Sequence, residues 1–384
     1  MMPTRVAQRL VGALLGLVVL ACAQNLAKAA ELAPNEVALL LAGLPPPTGS
    51  EASRVAQEAS WQAHARAMDR YWSALESRQL SPIRTWAARN MTAPRSTVLY
   101  MFSGPDFLYV NAFLGHAETY VLAGLEPAGR IPRLTDATRL NPSAALGGLR
   151  GSLNALLSYS FFKTENMRHE LRARTFEGTL PLLYVFLARA GKTVRAVTSV
   201  ELDTEGRLLL ADDRDGDSAK GPAAGVEIEF SGADNKIQRL YYFRTDLSDG
   251  AIGTSGFLPF VEKQGRVDSL IKSASYLLYS NGFSRARQLV LAQSDHIVQD
   301  DTGVPLTYFS PQDWELRPYG RYLGPINKFH GRYQGRLAEL FRRPAGPLDF
   351  GIGYRWRRSE SNLVLAVRKA TAHAGTGTPV ARQK

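Results

Sequence analysis

Residues 97–113 read TVLYMFSGPDFLYVNAF. Thr97 to Phe102 reads as a buried strand, apolar and rich in β-formers. Ser103-Gly104-Pro105-Asp106 then supplies the chemistry of a turn that opens a helix. Ser103 can cap, Pro105 suits the first helical position, and Asp106 favours the positive end of the helix. Phe107 to Phe113 is that helix, and Thr119 to Leu125 is the next strand, closed by Pro127 and Gly129. Strand, helix and strand in this order predict a mixed α/β fold, a sheet flanked by helices.

Outward from this unit the pattern holds. Nothing breaks a helix between Glu51 and Gln79, where Trp61, Met68, Trp72 and Leu75 recur at helical spacing. Pro82 ends that segment, and Ile83 and Trp86 begin a second stripe. Residues 30–50, with Pro34, Pro45-Pro46-Pro47 and Gly49-Ser50, are expected as a linker. Residues 135–192 are expected to be helical, in the runs Leu149–Phe162, Glu165–Arg174 and Leu180–Ala190. Four short β-rich runs follow, Thr193–Leu202, Arg207–Leu210, Val226–Phe230 and Ile237–Arg244, spaced as an antiparallel meander. Then come a short helix Gly256–Lys263, a run Ser269–Ser275, a helix from Tyr276 to Ala292, and strands near Ile297 and Leu306. Leu348–Trp356 and Asn362–Arg368 pattern as a hairpin, and residues 370–384 as a disordered tail. The α/β domain is thus 51–369. Ser103, Leu108, Tyr109, Asn111 and Phe113 recur at one offset as Ser273, Leu278, Tyr279, Asn281 and Phe283, and Val121-Leu122-Ala123 recurs near Val290-Leu291-Ala292. Chance gives such matches in a long chain, so two similar halves, 51–192 and 193–369, stay open beside one undivided unit.

The N-terminus carries an address. Arg5 and Arg9 precede an uncharged stretch whose part from Leu10 to Ala23 is almost wholly apolar, and small residues follow. These are the three parts of a secretory signal peptide, assigned to residues 1–29, with Ala21-Cys22-Ala23 and Ala27-Lys28-Ala29 as cleavage sites. The apolar part is short of the ~20 residues that span a bilayer. Val19-Leu20-Ala21-Cys22 resembles a bacterial lipobox, which makes Cys22 the lipidation residue, although Leu20 is bulkier than the usual small residue there. Membrane attachment is then expected only through the signal or the lipid. Expected locations are the periplasm, the outer membrane as a tethered lipoprotein, or the medium. Cys22 is the one cysteine, so no internal disulfide can form, and a mature chain of about 350 residues must rely on its core. Loss of Arg5 and Arg9 with the leader lowers the formal charge of +11 by two, to +9. A basic exported chain suits an anionic envelope component or a glycan as partner, and its compartment argues against nucleic acid.

Chemistry has few places to sit. The helix start at Ser103, Gly104 and Asp106 is the first: backbone N–H groups there can hold an anionic group, or Asp106 can act on a substrate. No Gly-x-Ser-x-Gly pattern surrounds Ser103, so it is no nucleophile elbow. The second is His296 with Asp300 and Asp301, suited to acid–base work, although Asp-Asp-Thr-Gly is also an ordinary hairpin turn. Neighbouring strand residues point to opposite faces, so Asp300 and Asp301 cannot both reach one substrate unless the turn redirects them. Arg317, Tyr319 and Arg321, with Trp314 and Tyr322, form an aromatic and basic run that can hold sugars or anions, or simply pack. Asp212, Asp213, Asp215 and Asp217 miss the glycine and glutamate that a calcium loop needs. No two histidines show zinc spacing, and no phosphate loop or dinucleotide fingerprint occurs, so no metal or cofactor is expected.

Phe102-Ser-Gly-Pro-Asp-Phe-Leu-Tyr109, with Tyr120-Val-Leu-Ala-Gly-Leu-Glu-Pro-Ala-Gly129, resembles a family of uncharacterised bacterial exported proteins and lipoproteins. The resemblance continues through Lys272–Leu277, Gln299–Pro305 and Ser361–Lys369. It implies export and brings no established activity. The expectation is an envelope protein that binds a ligand or partner without catalysis. The alternative is an envelope hydrolase or transferase with Asp106, Glu126, Asp300 or Asp301 as acid–base groups.

Overall fold

A computed structural model describes residues 33–131, 146–151, 153, 178–211 and 222–370. Ten strands form one mixed sheet in the order β4-β3-β5-β6-β2-β1-β7-β8-β10-β9. They are β1 (Thr97–Tyr100), β2 (Thr119–Gly124), β3 (Thr193–Leu202), β4 (Leu208–Leu210), β5 (Ala223–Ser231), β6 (Ile237–Thr245), β7 (Val267–Ile271), β8 (Ser294–Gln299), β9 (Trp314–Gly320) and β10 (Asn362–Arg368). β6, β2, β1, β7 and β8 run parallel in the middle. β3, β4 and β5 extend one edge and β9 and β10 the other, all antiparallel to their neighbours. The expected fold class, a sheet flanked by helices with an antiparallel meander from the middle of the chain, is the observed one.

The central strands are covered on both faces, which is why they read as continuous apolar runs. Side chains alternate along β1: Val98 and Tyr100 join one core, Leu99 and Met101 the other. The first core is roofed by α1 (Pro34–Leu41), α3 (Ala59–Leu75), α4 (Ser81–Asn90), α5 (Phe107–Leu114) and α6 (Leu180–Arg189), with short α2 (Glu51–Val55) at its margin. The second is roofed by α7 (Asp249–Ile252), α8 (Phe257–Lys263), α9 (Ser284–Gln293) and α10 (Gly335–Leu340). Handedness accounts for the split. From β1 the chain passes through α5 to β2 on one side; from β7 it passes through α9 to β8 on the other. Right-handed crossovers that travel in opposite directions along a sheet put their helices on opposite faces.

Several expectations are corrected. Residues 30–50 are not a linker: α1 starts at Pro34, and Val37, Ala38, Leu40 and Leu41 are buried against the sheet layer. Its last carbonyls are taken up by Trp61 Nε1 on Leu40 O (3.0 Å), His64 Nε2 on Leu41 O (2.9 Å) and Arg189 Nε on Ala42 O (2.7 Å). The uninterrupted helix over 51–79 is two helices, α2 capped by Ser50 and α3, followed by a π-helical turn, Glu76–Leu80, that runs directly into α4. Pro82 therefore does not end the helical segment but lies in the first turn of α4, just past the π-helical turn. The helix expected from Tyr276 begins only at Ser284. Tyr276 stands at φ 54°, and two short 3₁₀ turns intervene. Leu306 begins a 3₁₀ turn, not a strand. β10 pairs with β8 and β9, so the expected hairpin with Leu348–Trp356 does not form. β9, whose sequence patterns as a candidate binding run or packed loop, is a strand at the sheet's edge. The expected leader with Cys22, the aspartates at 212–217 and the expected tail lie outside the described residues, as does most of 135–177.

The two proposed halves are interleaved: β1 and β2 of the first sit between β6 and β7 of the second. One part of the internal match has a counterpart in space. β1 and β7 pair with Val98 opposite Asp268 and Leu99 opposite Ser269, the same offset that relates Ser103 to Ser273. The other part has none, because Val121–Ala123 is strand and Val290–Ala292 is helix.

Candidate functional site

The chain turns away from the gap between β1 and β7 in both directions, so the carboxyl ends of these strands leave a crevice there. Such a switch point is where open α/β sheets bind ligands. A cavity of about 170 Å³ occupies it. Its walls are the loops after β6, β2, β1 and β7, joined by Phe283 and Tyr354. Its mouth is open where Leu125, Asp246 and Ser275 are exposed.

The loop after β1 is shaped by its own sequence. Phe102 and Gly104 take left-handed conformations (φ 60° and 52°), and Ser103 Oγ donates to Gly104 O (2.7 Å) and Ala123 O (3.1 Å). Ser103 is thus tied to the backbone and does not cap; Asp106 does, accepting Tyr109 N–H at 3.1 Å. Across the crevice Gly124 has to be glycine. A Cβ there would lie 3.0 Å from Gly104 Cα and 2.8 Å from the Tyr242 hydroxyl.

Asp106 is the centre of a buried network. Lys272 Nζ, from the loop after β7, lies 2.7 Å from its carboxylate and 4.4 Å from the Tyr109 ring, and Tyr100 donates its hydroxyl at 3.0 Å. Both members of the ion pair are almost fully buried. Burial pushes the Asp106 carboxyl up, against the pull of Lys272 and of the cap N–H. Burial and the neighbouring carboxylate raise the Tyr100 hydroxyl well above its ordinary value, so it stays a donor. Asp106 takes the Tyr109 N–H at the helix start, so the protein's own carboxylate stands where an external anion would have to sit.

The loop after β7 is held from a distance. Ser273, Ser275 and Tyr276 all have positive φ. Asp300 accepts Ser273 N–H (2.8 Å) and Thr302 N–H (2.8 Å), and Thr302 Oγ1 accepts Ala274 N–H (2.7 Å) while donating to Asp300. Asp301 turns the other way, to Tyr276 OH and Asn362 Nδ2. The pair is buried and is no exposed hairpin turn. Burial, then the charge of Asp301, pushes Asp300 up to about 7. Tyr354 OH donates to Ser273 O (3.0 Å) and closes the loop from above.

Of the residues singled out from sequence, Ser103, Gly104, Asp106 and Glu126 meet at this cavity, and Glu126 is buried in its wall. Asp300 lies behind the wall and Asp301 beyond it. His296 is not with them. It sits toward the opposite end of β8, its Nδ1 2.7 Å from Asp268, and Asp268 also accepts Arg95 N–H. Arg317 pairs with Glu315 at the surface, Tyr319 is buried against Trp86 with its hydroxyl on Asn90 (2.8 Å), and Arg321 is exposed. β8 and β10 separate these three from β7, and none lines the cavity. Lys272, Tyr100, Thr245 and Tyr354 were not singled out. The Ser103–Ser273 match was the signal that could have paired the two loops.

No family model, curated protein or solved structure matches this chain. The geometry of the crevice therefore carries the functional argument. Among the described residues no cluster of three or more metal-ligating side chains occurs, and no helix is long and apolar enough to cross a membrane.

Proposed function

We propose that this is an exported envelope protein whose work is to bind a small ligand in the switch-point cavity, without catalysis. The observation that carries the reading is the cavity itself, set at the carboxyl ends of four parallel strands and floored by the buried Lys272–Asp106 pair. The basic, signal-like N-terminus and the resemblance to bacterial exported proteins support the envelope part of the reading. Asp106 is committed to a cap, a lysine and a tyrosine, which argues against its acting as a general acid or base. A thermal-shift screen of the mature protein against glycan, lipid-headgroup and cell-wall fragments tests it, alongside a Ser275→Trp variant that plugs the mouth. A ligand at a hundred times its dissociation constant adds about 2.7 kcal/mol of stability. The expected result is an upward shift that the plug abolishes. Equal shifts in both proteins, or none in either, would overturn the reading.

A second reading, an envelope hydrolase or transferase, is favoured by one observation: Glu126 is a buried carboxyl group on the cavity wall. Turnover of glycosides or esters by the mature protein, lost in Glu126→Gln, is the result it requires. Glu126→Gln turnover equal to wild type would end it.

A further inference from the structure

Two hydroxyls in the cavity wall have no hydrogen-bond partner among the described residues. Thr245 ends β6 and is 3 % exposed; its Oγ1 is buried and unpaired. Ser273 follows β7, and its Oγ is likewise buried and unpaired. Folded proteins rarely leave such groups orphaned, because each forfeits its bonds to water. β6 and β7 are the outer two of four adjacent strands, three interstrand gaps apart, so the orphans come from opposite walls of the crevice, whose strand ends are about 14 Å apart. Neither oxygen presents surface to solvent as it stands, so a ligand lying across the ends of β2 and β1 would meet both once each hydroxyl turned toward the cavity.

The charges decide what that ligand can be. Asp106 and Lys272 reach the cavity as a mutually neutralised ion pair, and Glu126 and Asp246 beside it disfavour an anionic ligand. A cationic ligand would gain nothing from Asp106, whose charge Lys272 already neutralises. Neither sign is welcome, yet both donors and acceptors are present, which suits hydroxyl groups that can do either. The remaining wall is aromatic: Phe102 and Phe283 pack at 5.9 Å and can cover an apolar ring face. The volume holds roughly a dozen water-sized groups, at about 10–15 Å³ each.

We infer that the cavity takes a neutral, polyhydroxylated ring, a single sugar residue either free or at the end of a glycan, which completes the hydrogen bonding of Thr245 and Ser273. The inference deepens the binding reading above and depends on it. An anion on the start of α5 is disfavoured, because the Asp106 carboxylate already caps the Tyr109 N–H there.

The test uses the mature protein with ligand-observed NMR and calorimetry. The probes are glucose, galactose and N-acetylglucosamine, their short β-linked oligosaccharides, and the charged counterparts glucuronate, glucose 6-phosphate and glucosamine. At least one neutral probe is expected to bind about tenfold or more tightly than its charged counterparts. Thr245→Val and Ser273→Ala are each expected to weaken it by about tenfold, while the melting temperature of the free protein stays level or rises, since each removes an orphan. Tighter binding of an oligosaccharide than of its monosaccharide identifies the glycan end, and equal binding the free sugar. Binding of only a charged probe, abolished by Ser275→Trp, would overturn this inference and leave the cavity as a site. Neutral-probe binding that Thr245→Val does not change would overturn it as well, and so would a loss of free-protein stability in Thr245→Val. Failure of every probe would overturn the inference, and the fragment screen decides the site separately.

Discussion

The two loops that face each other across the crevice reach similar left-handed backbones by different means. The loop after β1 is set mainly by residues within it and next to it: Pro105 and Asp106 start the helix, and Ser103 bonds to its own neighbour, with Ala123 of the adjacent strand as its one distant partner. The loop after β7 has three left-handed positions among the four residues Ser273 to Tyr276, and side chains some thirty residues later hold it through Asp300 and Thr302. Left-handed conformations cost non-glycine residues about 1–2 kcal/mol each. The first loop offsets that cost locally, and the second depends on the tertiary fold. The Lys272–Asp106 pair ties the two together.

The largest effect should come from cutting that tie. Lys272→Met leaves Asp106 charged and buried, and is expected to cost about 3–5 kcal/mol in urea unfolding. Combining it with Asp106→Asn should recover part of the loss. No loss in the single variant would mean the loops stand independently. Next is Thr302→Val, which removes an acceptor from Ala274 N–H and a donor from Asp300. It should cost about 1–3 kcal/mol and speed amide exchange after β7 while leaving the β1 loop protected. Equal exchange in both loops would break the contrast drawn above.

The pH dependence distinguishes the loops further. Asp300 has a higher pKa folded than unfolded, so folding binds a proton to it. Its stabilising contribution is complete below about 4 and is lost as pH rises through about 7. Asp301→Asn removes the neighbouring charge that helps hold Asp300 up, and should move this loss to lower pH in thermal melts. An unmoved midpoint would leave burial as the whole cause. His64, in the helical layer, has the opposite slope. Burial lowers its pKa to about 4, so its contribution is present above about 6.5 and lost as pH falls toward 4. The smallest effect expected is from Ser275→Gly. It relieves a positive φ in the second loop and should stabilise by at most about 1 kcal/mol.

The same contrast explains what could be read from the sequence. β1, α5 and β2 follow from apolar runs and start signals that lie within a few residues of one another, and the antiparallel meander of β3 to β6 follows from spacing and turn residues. Ser103, Gly104, Asp106 and Glu126 were therefore found. Tyr276 to Phe283 pattern as helix, and only the distant carboxylates that hold the preceding loop make it something else. Lys272 carried no local signal, because its meaning is its distance to Asp106. β9 was obscured by Arg317 and Pro318, which an edge strand tolerates. Residues 30–50 pattern as a linker because of their prolines, while the docking of α1 depends on Trp61, His64 and Arg189 far along the chain.

The interleaved sheet order governs how this molecule can come into being. A chain delivered from its N-terminus presents β1 and β2 early, paired with each other and bare along both outer rims. Those rims are closed only when β6 and β7 arrive, more than a hundred residues later. Until then two apolar strand borders are open to mispairing with other chains. Vectorial synthesis therefore completes the crevice late, and puts the β1–β2 segment at risk of aggregation for a long time.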